Sequence, residues 1–230
     1  VLPRTLAAMP LANDGDSTMK FRNLKTGNEP LTFHSKPVGF ALSEFWQWSV
    51  SDLVSNVTRG RLAEFIVATS LRIDLSTIRD EWQAFDLLTP EGVTIEVKSA
   101  AFVQSWNQKK PSTISFSTRA TRYWDSETNV QAKVPKRQAE VYVFCLLKHA
   151  DKETINPLDL DQWEFYVLST SELNSYKRSQ HSITLNSLRR LSLPVTYDNI
   201  RNEVISKSPQ KRGTAANKRQ TGARTLDRLG

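Results

Sequence analysis

The unbroken apolar run Val141-Tyr-Val-Phe-Cys-Leu-Leu147 constrains this chain most. Strand side chains alternate between two faces, so a strand with no polar face must be covered on both sides. The run is also far short of the ~20 apolar residues that a membrane span needs. The chain must therefore build a layered sheet with this strand near its centre. Trp82–Leu88, Val93–Lys98, Thr113–Ser117 and Trp163–Leu168 are strand-like and supply neighbours. Ser43 can cap a helix to about Asn56, striped by Trp46, Val50, Leu53 and Val54. A second helix reads from Arg59 to Arg72, with Leu62, Phe65, Ile66 and Thr69 at helical spacing and Glu64 off that stripe. Ser169 or Thr170 can cap a helix around Glu172–Arg178, and Leu185–Leu193 and Asp198–Ile205 read as further short helices. The fold class that follows is α/β (α+β), a central mixed sheet flanked by helices, without internal repeats.

At 230 residues, of which 39% are apolar and 24% charged, one domain with tails is expected. Residues 1–40 are rich in turn material (Asn13-Asp-Gly-Asp16, Thr26-Gly-Asn-Glu-Pro30, Lys36-Pro37) and read as an irregular N-terminal segment. The domain is expected over 41–205, and 206–230 reads as a disordered basic tail. Pro3 and Pro10 break the first apolar stretch, which does not suit a signal peptide. The net charge of +7 favours polyanionic partners. The lone Cys145 excludes an internal disulfide framework and fits a reducing, cytoplasmic compartment, where it packs as a small hydrophobe. Trp46, Trp48 and Trp163 are expected to pack in the core or between helices. His34, His149 and His181 show no ligand spacing and no Cys joins them, which argues against structural zinc. The Gly-rich and nucleophile motifs of P-loop ATPases, dinucleotide-binding domains and acyl hydrolases are missing from the sequence.

The chemistry concentrates in one hairpin. Pro90-Glu91-Gly92 suits a three-residue loop, with Gly92 as the left-handed residue. That loop pairs Thr89 with Val93, which places Asp86 opposite Glu96. Phe85, Leu87, Val93, Ile95 and Val97 then share an apolar face, while Asp86, Glu96 and Lys98 share the other. Facing carboxylates repel each other unless a cation compensates them. Mg²⁺ (or Mn²⁺) takes such oxygen ligands, and a neighbouring lysine can steady an attacking water or a charged phosphate.

These residues resemble the PD-(D/E)XK nuclease superfamily of restriction-endonuclease-like fold, here in the style of a bacterial member: Asp86, then Glu96-Val97-Lys98 on the next strand. Phe85 stands where the motif has proline. The resemblance implies catalytic Asp86, Glu96, Lys98 and Glu64. Metal ligation would come from Asp86, Glu96, Glu64 and the main-chain carbonyl of Val97. The expected substrate is nucleic acid, DNA ahead of RNA, with no membrane partner. Many nucleases of this type work as dimers, so a homodimer belongs to the expectation. Arg137 and Gln138, just before the central strand, are expected substrate contacts. The basic and aromatic stretches Gln104–Lys110 and Thr118–Trp124 suit phosphate contact and stacking, or packing on their own domain. Two other readings stay open: a non-catalytic nucleic-acid-binding module, and a protein–protein adaptor with an ordinary wet hairpin face.

Overall fold

The computed structural model describes residues 23–79, 83–125 and 128–209. Its centre is a four-stranded mixed sheet in the order β3-β4-β8-β9, formed by Leu87–Leu88, Thr94–Ala101, Val141–Leu147 and Trp163–Ser169. β8 runs parallel to β4 and antiparallel to β9. Every residue of β8 is buried, as its double-sided apolar run requires.

Two helices cover one face: α2 (Asn56–Ser70) and α5 (Ile200–Lys207). Ala63, Ile66 and Val67 of α2 and Ile200 and Val204 of α5 pack there on Ile95, Val97, Val143, Cys145, Phe165 and Val167. The other face carries Tyr142, Phe144, Leu146, Tyr166 and Leu168. The strand pair β5 (Ser115–Ser117) and β10 (Ser182–Thr184), with α3 (Thr170–Ser175) and α4 (Leu185–Leu191), covers that face through Phe116, Ile183, Leu173 and Leu188. Ser169 caps α3 reciprocally with Glu172. A small hairpin, β6 (Trp124–Asp125) with β7 (Val130–Gln131), lies within the excursion from β4 to β8. The α+β architecture thus agrees with the expectation. No described helix is long and apolar enough to cross a membrane.

Several local expectations are corrected. The segment read as irregular contains an antiparallel hairpin, β1 (Pro30–Phe33) with β2 (Lys36–Ala41). Its two turn residues, His34 and Ser35, both have positive φ, a conformation for which Asn-Gly is the usual signal. The first helix, α1, spans Leu42–Val50 and is capped by the Glu44 carboxylate on the Ala41 N–H. It ends before Asn56 because Asp52 accepts from the N–H groups of Val54 and Ser55 and turns the chain into α2. Trp46 and Trp48 are exposed, whereas Trp163 is buried. On α2 the buried row is Arg59, Ala63, Ile66 and Val67, and Phe65 is exposed. The small Ala63 lets the helix sit close on β4. β3 is only two residues long, Trp82 lies outside the described residues, and Phe85 packs with the opposite core from Leu87. The expected basic tail begins inside α5 and from residue 210 lies outside the described residues, as does the N-terminal stretch through residue 22.

Candidate active site

The hairpin loop has the expected form. Gly92 has φ +80°, its N–H donates to the Thr89 carbonyl, and Thr89 N–H donates to the Val93 carbonyl. Leu87 pairs with Ile95 and Leu88 with Thr94, and Asp86 follows where the ladder ends, near enough for its charge to act on Glu96. β3 continues no further, and the Asp86 N–H closes the ladder on the Ile95 carbonyl at 2.9 Å. Main-chain groups of alternate residues face the same way along a strand. Val97 therefore turns its N–H and carbonyl toward the same edge, past the end of β3. The Asp86 carboxylate takes that N–H at 2.8 Å.

Glu64 reaches this edge from α2. Its carboxylate accepts from Arg79 Nε at 2.5 Å, and the same guanidinium lies 3.5 Å from Asp86. Lys98 Nζ is paired with Glu96. The three carboxylate side chains are 16–21% exposed. Burial raises the Glu64 carboxyl, the charge of Asp86 adds to this, and Arg79 opposes it. Burial likewise raises Glu96, opposed by Lys98 and reinforced by Asp86. Tyr142, the neighbour of Glu96 on β8, has its hydroxyl pushed well up by burial and then by the charge of Glu96.

Glu64, Asp86 and Glu96 thus form one electrostatic group, with Lys98 beside it and the Val97 carbonyl on the same edge. The donors are all oxygens, a set that suits a hard divalent cation. Among the described residues no three His, Cys, Asp or Glu side chains are gathered tightly enough to hold an ion as they stand. Arg79 lies between Glu64 and Asp86, and Lys98 draws Glu96 to itself.

Arg137 and Gln138 are not part of this group of contacts. Arg137 donates to the Thr118 carbonyl, Asn174, and the side chain and carbonyl of Gln180, and Gln138 donates to the carbonyls of Thr121 and Lys136. Arg79 and Tyr142 escaped the sequence reading. Arg79 sits in a stretch without periodicity, and Tyr142 reads as one more apolar residue of β8. Cys145 is fully buried, and burial pushes its thiol well up, which leaves it an inert core residue.

The family model described as bacteriophage T4 endonuclease IV matches residues 36–187, well over half of the chain. The match takes in Glu64, Asp86, Glu96 and Lys98 and ends within α4. None of the curated proteins matches.

Proposed function

The chain belongs to the bacteriophage T4 endonuclease IV family, a nuclease family acting on nucleic acid, and from that membership we propose a metal-dependent endonuclease of the PD-(D/E)XK type that hydrolyses phosphodiester bonds in DNA. One observation supports the finer reading: Asp86 leaves β3 with its carboxylate on the Val97 N–H, and its charge acts on both Glu96 and Glu64. Three part-buried carboxylates whose charges act on one another are a grouping that more often serves a site than a fold.

Asp86, Glu96, Glu64 and the Val97 carbonyl would hold Mg²⁺ or Mn²⁺. When bound, such an ion supplies Lewis acidity toward the phosphate and makes its water more acidic. The chain's own groups do the remainder. The Val97 N–H fixes the orientation of Asp86. Lys98 opposes the effect of burial on Glu96 and would offer a cation to the attacking water and the non-bridging phosphate oxygens. Arg79 balances Glu64 and Asp86 in the chain alone, and it has to leave the space between them before their oxygens can share an ion.

The test is cleavage of plasmid and single-stranded DNA with Mg²⁺ or Mn²⁺, beside EDTA and Lys98→Ala. Cutting is expected to require metal and to fall about 100-fold or more in Lys98→Ala. Equal activity in wild type and variant would remove the site from consideration. Salt-dependent DNA binding without cutting by either would favour the non-catalytic binding module.

A further inference from the structure

Beyond the carboxylates, the edge of β4 continues into a cleft of about 400 Å³ lined by Asn56, Arg59, Ser99, Gln104, Trp106 and Thr113, among others. That volume falls within the roughly 300–1,000 Å³ of small-ligand sites. Arg59 is only 3% exposed. Its Nε donates to Ser99 Oγ at 3.0 Å, and Nη1 donates to the Val54 carbonyl at 2.8 Å and to Gln104 Oε1 at 3.4 Å. Its Nη2 donates to Asn56 Oδ1 at 2.7 Å. All four acceptors are neutral. A guanidinium carries five N–H donors, so one on Nη2 is not used.

A buried charge is ordinarily paired, because desolvation without a counter-charge is costly. Among the described residues no carboxylate forms an ion pair with Arg59. Burial alone depresses its pKa. The cation therefore sits in a polar cleft without the anion that its burial calls for. The cleft shares its scaffold with the carboxylates. Ser99 follows Lys98, two residues past Val97, or about 7 Å along the strand. Arg59 precedes Glu64 by five residues on α2, or about 7.5 Å along the helix. Trp106, 53% exposed, forms a flat apolar wall of the same cleft.

We propose that this cleft is a phosphate subsite, in which Arg59 binds a backbone phosphate next to the one attacked and Trp106 packs on the sugar or base attached to it. The position of the attacked phosphate rests on the nuclease reading above; the binding does not. The test measures affinity of the full chain for a labelled mixed-sequence DNA oligonucleotide, single-stranded and duplex, in EDTA so that nothing is cut. Arg59→Met is expected to weaken binding about tenfold or more and to lower the slope of log K against log salt by about one. Arg59→Lys restores the slope but not the full affinity, since a lysine cannot reproduce the fork. Trp106→Ala weakens binding about fivefold or more with the slope unchanged. Thermal melts establish which variants are folded. Wild-type affinity in Trp106→Ala, or in a folded Arg59→Met, overturns the proposal. If Arg59→Met does not fold, the exposed Trp106 decides alone. Binding that depends on Arg59 in a chain that never cuts keeps this subsite and sinks the nuclease reading. Metal-dependent cutting with no effect of either variant on binding does the reverse.

Discussion

Glu96 shows how one residue can be set against the stability of its own fold. Burial, and then the charge of Asp86, raise its carboxyl above the ordinary range despite Lys98. A group whose folded pKa lies above its unfolded value stabilises the fold at low pH, and that contribution is lost as pH rises through the folded value. The charged form of Glu96 thus works against the fold. Glu96→Gln is expected to raise stability in EDTA at pH 7 by about 0.5–2 kcal/mol. The urea midpoint should rise at constant slope, and the gap should narrow as pH falls toward the ordinary carboxylate range. Glu164 has the opposite sign. Its burial is outweighed by hydrogen bonds from Tyr166 and Arg189, which leave its carboxyl below the ordinary range. Its contribution is present above the unfolded value and lost as pH falls through the lowered one. Glu164→Gln should therefore lower the midpoint at pH 7, with the loss shrinking in acid. The loop at Pro90–Gly92 and the pairing of Leu87 with Ile95 were legible from the sequence, because strand period and loop length leave one register there. Arg79 was not legible, because no periodicity or turn chemistry says where a side chain in an irregular stretch will point.

Among the elements, α2 fixes the geometry of the candidate site most directly. Its contact row on β4 runs through Ala63 and Val67, both without exposed surface, and Glu64 adjoins that row. Ala63→Leu is expected to destabilise the chain by about 1–3 kcal/mol through overpacking. Because the helix must lift from β4, Glu64 moves with it, and cleavage should fall more than the loss of folded chain explains. Denaturation and activity measured on the same preparation check this. The sequence showed that a helix lies here but misplaced its inner face. Large apolar residues such as Phe65 dominate a periodicity, whereas close seating on a strand selects small ones. β3 was overextended for a related reason: an alternating pattern does not reveal that the chain leaves the ladder at Asp86. The β1–β2 hairpin was missed because His34 and Ser35 adopt left-handed conformations without a glycine between them.

At the scale of the whole molecule, β1, β2 and α1 form an arm that buries little. No residue of α1 is buried, and Phe40 and Trp48 are 60% and 85% exposed. Trp48→Ser should therefore change stability by less than about 0.5 kcal/mol, whereas Trp163→Ala, which empties a packed site and removes the donor to the Pro157 carbonyl, should cost about 3–5 kcal/mol. Thermal melts of the two variants check the contrast. The edge of β4 has a wider consequence. β8 pairs with it from Ile95 to Ala101, but β3 pairs only with Thr94 and Ile95. Farther along, side chains take the place of a strand: Asp86 on the Val97 N–H and Gln104 on the Ala101 carbonyl. A bare strand edge is a template on which another chain can add its own strand, and charge is a common deterrent. The carboxylates at this edge repel such an addition. Glu96→Gln should then yield molecules that resist urea better one by one, yet scatter more light as concentrated solutions age. The charge on Glu96 that loosens the individual fold also helps keep its sheet from being lengthened by its neighbours.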